Sequence, residues 1–178
     1  MKLGTLEFTS IQRNDALVTA AVSEATYAAG LETGVFVAKI DPAFADTAIF
    51  CEQYQIDMAV STNCLVIEAR RGDKTWYCAC LVLATDMADV NGVIRKTLGA
   101  RKTSFASKEI ALKLTDMEYG GITPIGLPED WTIYIDDAIM NQPIVVIGSG
   151  MRGSKVAVET GALRGLPNTE VLGIKRAV

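Results

Sequence analysis

Two apolar runs, NCLVIEARR and TWYCACLVLA, are separated only by the short stretch Gly72–Lys74, and no helix fits between them. The first centres on Leu65, Val66 and Ile67, the second carries Thr75, Trp76, Tyr77 and Val82, and Gly-Asp-Lys has the composition of a hairpin turn. A parallel pair would need a crossover of about a dozen residues. The two runs therefore read as antiparallel neighbours, which argues against a doubly wound parallel sheet. Cys78 and Cys80 alternate along the second run and fall on one face, where cysteine acts as a small core residue.

Around this hairpin the pattern switches between helical and extended periods. Asn14 to Ala29 reads as a helix with Leu17, Ala21, Ala25 and Ala28 inward and Gly30 as its stop. VFVAKI reads as a strand. DPAFADTAIFCEQY reads as a helix with Asp41 as N-cap and Pro42 in its first turn. DMADVNGVIRKTLG is expected to be helical, with Val90, Val93, Ile94, Thr97 and Leu98 inward and Gly99 ending it. KTSFA is a short strand, after which Ser107 caps the helix KEIALKLT. WTIYID, PIVVIG, KVAVE and TEVLGI are further strands, with a short helix near TGALRGL. The expected fold class is α+β with a mixed or antiparallel sheet. With 178 residues, the chain suits one domain, 1–178, bearing an N-terminal helical extension over about 1–34.

The composition excludes several chemistries. There is no histidine, which removes Ser–His–Asp triads, Cys–His dyads, imidazole metal sites and a histidine pH switch. Cys51, Cys64, Cys78 and Cys80 form no C-x-x-C pair, so zinc and thioredoxin-like readings are weak. The net charge is −4, so contact with nucleic acid would depend on local patches. Arg95, Lys96, Arg101 and Lys102 form one basic cluster and Arg70 with Arg71 another; a solvated face is the simpler reading of each. The first residues lack the apolar core of a signal peptide, and no apolar run is long enough to cross a bilayer. A cytoplasmic protein with reduced thiols is expected.

Two glycine-rich stretches carry the functional signal. In EYGGITPIG, Gly120 and Gly121 can bring bare backbone against a partner, Pro124 stiffens the chain and holds Thr123 extended, and Gly126 closes the stretch. Such a loop can present the N–H groups of Ile122 and Thr123 to a carbonyl or a developing oxyanion. A tight crossover between helix and strand is the alternative. In IGSGMRGSK, Gly148, Gly150 and Gly153 again expose backbone, Ser149 offers a hydroxyl, and Arg152 and Lys155 offer charge. Walker-A spacing is absent, and a wide hairpin is the simpler reading. Of Asp136 and Asp137, at least one is expected to cap the turn that follows. Asn63, at the mouth of CLVIEA, is by itself a turn residue.

The order of these pieces, NCLVIEA, ADVNGVIRKTLGARKTSFASKEIALKLTDMEYGGITPIGLP, YIDD and VVIGSGMRGSKVAV, resembles the YbaK/prolyl-tRNA-synthetase-associated domain family over roughly Ala38 to Val171. The resemblance implies a compact α+β fold on a mixed, partly barrel-like sheet with surrounding helices. It also implies trans-editing: hydrolysis of the ester that joins a wrong, small amino acid, of the alanine or cysteine type, to a tRNA. The implied partners are the 3′ end of an aminoacyl-tRNA and, for members that act beside one, a tRNA synthetase. No metal, cofactor or membrane is implied, and the oligomeric state is left open. Carried over residue by residue, Gly121, Ile122 and Thr123 become catalytic candidates. Gly120, Pro124, Gly126, Ser149, Gly150, Arg152 and Lys155 become substrate-binding ones. Competent relatives carry a lysine just before the first hydrophobic strand; Asn63 takes that place here and joins the catalytic candidates. A neutral amide at this position raises the alternative of a weak or inactive member that binds an aminoacyl-tRNA or a nucleotide-like ligand. A third reading, an oligomerising interaction protein, rests only on the N-terminal segment.

Overall fold

The computed structural model describes residues 1–176. The strands are β1 (Lys2–Leu3), β2 (Leu6–Glu7), β3 (Thr9–Ser10), β4 (Val35–Lys39), β5 (Thr62–Arg71), β6 (Lys74–Leu83), β7 (Lys102–Phe105), β8 (Thr132–Asp136), β9 (Ile144–Ile147), β10 (Ser154–Glu159) and β11 (Thr169–Leu172). The helices are α1 (Ala20–Ala28), α2 (Thr47–Tyr54), α3 (Arg95–Thr97), α4 (Lys108–Thr115) and α5 (Thr160–Leu163).

The chain is α+β, as its pattern predicts. A five-stranded mixed sheet runs β11-β8-β6-β5-β7, parallel between β11 and β8 and between β8 and β6, and antiparallel elsewhere. An antiparallel sheet runs β3-β4-β10-β9. The β5–β6 hairpin is the expected one: Arg71 pairs with Lys74, leaving Gly72 and Asp73 as a two-residue turn. Gly72 sits at φ +60°, in the left-handed region that the first position of such a turn requires. The two sheets share one core, in which Leu81, Ile133 and Ile135 meet Val35, Val37, Ile147, Val156 and Val158. They are stitched at one corner, where Ser61 bridges Val146 and the Thr62 hydroxyl donates to the Val146 carbonyl at 2.9 Å. They do not close into a barrel.

Three expected helices are shorter than the periodicity suggests, and the first and third are cut by a long-range contact. The helix expected from Asn14 begins only at Ala20, after a 3-10 turn over Asp15–Leu17. Buried Val18 is extended, and the Thr19 N–H donates to the Ser149 carbonyl at 3.3 Å, which pulls this segment onto a distant loop. The inward residues are Val22 and Thr26 rather than Ala21 and Ala28, which are exposed. Asp41 and Pro42 begin a 3-10 turn, Pro42–Phe44, and α2 starts afresh at Thr47 behind Asp46. The helix expected from Asp86 begins as a π turn, Val90–Ile94, because the Asp89 N–H is held by the Ile174 carbonyl at 2.7 Å. Asp89 then caps it through the Gly92 and Val93 N–H groups, and Thr97 stays exposed. The segment 1–34 is not purely helical: β1, β2 and β3 precede α1, β3 pairs with β4, and Phe8 and Ile11 are wholly buried.

Candidate active site

Where the two sheets meet, a cavity of about 360 Å³ is lined by Asp46, Thr47, Asn63, Cys64, Leu65, Tyr119, Gly120, Ile122, Gly148 and Lys155, among others. Four of the candidates from the sequence, Asn63, Gly120, Ile122 and Lys155, thus border one space.

The first residues of β5 and β10 supply the polar groups. Asn63 lies on β5 opposite Val82, and its Oδ1 accepts from the Thr47 hydroxyl at 2.7 Å. Thr47 is the first residue of α2, so the helix start fixes the amide. Lys155 lies on β10 opposite Ala38. It is only 6% exposed, and its Nζ donates to the Gly120 carbonyl at 3.0 Å. Burial pushes the Lys155 ammonium down to about 8; attraction from Asp46 opposes the shift and the charge of Arg152 adds to it. Arg152 itself points to the rim, where it reaches Asp46 at 3.3 Å and the Tyr119 carbonyl at 3.0 Å. Lys108 lies 3.9 Å above the centre of the Tyr119 ring. Cys64 is no candidate nucleophile: burial pushes its thiol up to about 12, so it stays protonated near neutrality.

The remaining candidates are placed differently. Gly121 is covered by the other glycine loop, since a Cβ there would lie 2.6 Å from the Met151 carbonyl oxygen. A Cβ on Gly148 would lie 2.3 Å from the Gly121 oxygen and 2.4 Å from that of Ile122. The Gly150 N–H donates to the Gly121 carbonyl at 2.7 Å, and the Glu118 N–H to the Gly150 carbonyl at 2.9 Å. The two loops therefore lie backbone against backbone, and this is what Gly121 and Gly148 accommodate, whereas Gly150, at φ +82°, is packed against the Thr19 side chain. Thr123 is wholly buried and does not line the cavity. Ser149 is wholly buried too; it is bound to Ser154 and to the Met151 backbone and acts as the clasp of its hairpin. Pro124 and Gly126 border a second, larger cavity of about 630 Å³ with α1 and the 165–168 turn. That space is walled mainly by Ala, Pro and Leu, and its ionisable side chains are Glu24 and Glu129 alone. No Lys or Arg lines it, and its one amide side chain, Asn168, is bound to the Glu129 carbonyl, so size does not make it the better site. The Asp136 carboxylate is a structural group: wholly buried, it accepts from the N–H groups of Ala138, Ile174 and Lys175.

Sequence reasoning missed Thr47, Asp46 and Tyr119. The periodicity makes the first two interior positions of one long helix; the signal for the break is Asp46, an N-cap residue type directly before Thr47. No cluster of metal-ligating side chains exists among the described residues, and no helix there is long and apolar enough to cross a membrane.

Residues 41–166 match the family model of the aminoacyl-tRNA editing domain. Among solved structures, the chain superposes on a protein proposed as a trans-editing enzyme for prolyl tRNA synthetase with a TM-score of 0.75 at 17% identity, covering 90% of this chain and 99% of that one. A hypothetical protein matches with a TM-score of 0.76 at 16% identity, covering 88% and 99%. A third match, at a TM-score of 0.60 and 15% identity, covers 90% of this chain but 31% of a Marinobacter aquaeolei VT8 protein assigned to signal transduction. At such identities these structures show a common fold.

Proposed function

This chain belongs to the aminoacyl-tRNA editing domain family, and from that premise we propose that it is a trans-editing deacylase that frees a small, wrongly attached amino acid of the alanine or cysteine kind from a tRNA 3′ end. The observation that carries the reading is the buried Lys155 ammonium on the wall of a small cavity beside Asn63 and Gly120. A charge held in a dry site acts on a developing oxyanion far more strongly than one in water. Water adds to the ester carbonyl carbon, negative charge gathers on the carbonyl oxygen, and the ribose oxygen leaves with a proton. The products are the free amino acid and a tRNA with its terminal diol restored. Lys155 would face the oxyanion, Asn63 would bind the amino group or a ribose hydroxyl, and Ile122 with Leu65 would limit side-chain size. The neighbouring ribose hydroxyl can orient the water, so no histidine is required. A cytoplasmic setting, and a synthetase that passes on the mischarged tRNA, fit this role.

Asn63 favours a second reading. The family this chain resembles has lysine there, and the Asn63 amide is engaged by Thr47, which suits a protein that binds without reacting. Single-turnover deacylation of a panel of mischarged tRNAs separates the two. Release of alanine or cysteine supports the enzyme; saturable binding with no release from any ester supports the binding module. Asn63→Lys is expected to raise the rate by less than roughly tenfold, because a second ammonium in this cavity repels the first.

A further inference from the structure

At the end of β5 away from the cavity, the five-stranded sheet terminates in cations. Arg70 and Arg71 close β5, Lys74 opens β6, and Arg101 with Lys102 leads into β7. Arg71 donates to the Gly99 carbonyl at 3.3 Å, which fastens the turn bearing Arg95 and Lys96 to the same end. The register sets like charges face to face: Arg70 opposite Lys102, and Arg71 opposite Lys74. Directly opposed like charges destabilise a sheet. Few acids answer them. Glu68 meets Arg70 at 2.5 Å; Asp89 is spent on the Gly92 and Val93 N–H groups; Asp86 faces Lys175; Asp73 sits in the hairpin turn. Lys74, Lys96, Arg101 and Lys102 are exposed and make no salt bridge among the described residues. On a chain of net charge −4, this is a local concentration of positive charge that the fold itself does not use.

Its position gives it a use. From Asn63 to Arg70 the strand advances about 23 Å at its usual rise, the reach of a few unpaired nucleotides. We propose that this cationic sheet end is a docking surface for the phosphate backbone of an RNA duplex, the stem adjoining the 3′ end that enters the cavity. The inference rests on the deacylase reading for its partner. Phosphates would run past the sheet end and be met by charge rather than by base-specific contacts, as suits A-form RNA.

The test is the quadruple variant Lys74→Gln, Lys96→Gln, Arg101→Gln, Lys102→Gln, checked for unchanged melting. The probe is a fluorescein-labelled hairpin RNA duplex ending in unpaired CCA, followed by anisotropy across a salt series. Wild type should bind with an affinity that falls steeply with salt; the variant should bind at least about tenfold more weakly at 0.1 M salt, with a slope shallower by about three to four. Equal affinities and slopes overturn the proposal, as does no binding by wild type. Binding instead to phosphatidylserine vesicles, undiminished by excess RNA, also overturns it in favour of a lipid surface. An alanyl ester on the CCA end of the same hairpin, below saturation, should be hydrolysed more slowly by the variant than by wild type, whereas an alanyl ester on a CCA trinucleotide, too short to reach the sheet end, should be hydrolysed equally by both proteins. If neither ester reacts but RNA binding still depends on the four cations, the deacylase reading fails and the docking surface stands. If the variant hydrolyses the hairpin ester as fast as wild type does, the docking surface fails and the deacylase stands.

Discussion

Replacing Lys155 by methionine should make the protein more stable and less active. The Lys155 ammonium is almost wholly buried, and its proton affinity falls from 10.5 to about 8. That shift makes the charged form roughly 3 kcal/mol less favourable in the fold than in the unfolded chain. Methionine removes the charge and keeps most of the volume. Against this gain stands the lost hydrogen bond to the Gly120 carbonyl, about 1–1.5 kcal/mol. The net expectation at pH 7 is a stabilisation of about 1–2 kcal/mol, or about 2–8 °C in Tm for a chain of this length. The difference must shrink with pH. Between pH 8 and 10.5 the folded lysine has lost its proton while the unfolded one keeps it, so the unfolded state binds more protons and wild type gains stability on the variant as pH rises. The buried Cys64 thiol works the other way: its proton is held to about 12 in the fold and lost near 9 on unfolding, so stability falls above pH 9. That loss is common to both proteins and cancels in their difference. Removal of a charge-assisted contact to the oxyanion should lower kcat/KM for the ester roughly 10- to 150-fold. Wild-type activity, corrected for spontaneous hydrolysis, should decline as pH rises through about 8, while the residual activity of the variant shows no such limb. Urea titrations at pH 7 and 9.5, with single-turnover deacylation, measure all of this. A variant that is destabilised at pH 7, or equally active, refutes the argument from burial.

Two further substitutions probe the frame of the site. Gly121→Val should destabilise by about 1–3 kcal/mol and depress deacylation together, and Gly121→Ala should do nearly as much damage, because the clash with Met151 is at Cβ itself; melting curves that match wild type would contradict the backbone-to-backbone packing. Asp136→Ala strands three N–H donors, at 3.1, 2.8 and 2.8 Å from the carboxylate, and should cost roughly 3–5 kcal/mol by urea denaturation while leaving the Km for any ester unchanged in protein that still folds.

Elements with their own chemistry were legible in the sequence. The Gly72–Asp73 turn, the Ser107 cap on α4, the Gly30 and Gly99 stops and the Asp136 cap each depend on residues within a few positions, and each is found where the pattern puts it. The starts of α1 and of the turn after Asp89 were not legible, because distant groups decide them. Thr19 is held by Ser149, and Asp89 by Ile174. β1, β2 and β3 are two residues each; they exist through pairing and carry no alternation to detect. Alanine is a poor guide to which face of a helix is buried, since it gains little by burial. Hence α1 turns Val22 inward and leaves Ala21 outside.

The glycine loops show the same division at the site. Three glycines and a proline within EYGGITPIG announce that bare backbone meets something. They do not say what, because a ligand and another backbone make the same demand of Cβ. The second glycine run held most of the answer: Gly121 lies against the Met151 backbone, Gly148 against the Gly121 and Ile122 carbonyls, and Gly150, at φ +82° beside the Thr19 side chain, donates its N–H to the Gly121 carbonyl. This mutual packing has a chemical consequence. It orients the Gly120 carbonyl toward the start of β10, where Lys155 follows the clasp made by Ser149 and Ser154. An ammonium on a flexible four-carbon stem would otherwise swing to solvent; here the stem is fixed by the strand and the head by the loop. If the proposed deacylase reading holds, the loops would act on the ester chiefly through the cation they hold, and a change that loosens them should weaken the Lys155 contact to Gly120 before it touches any ligand.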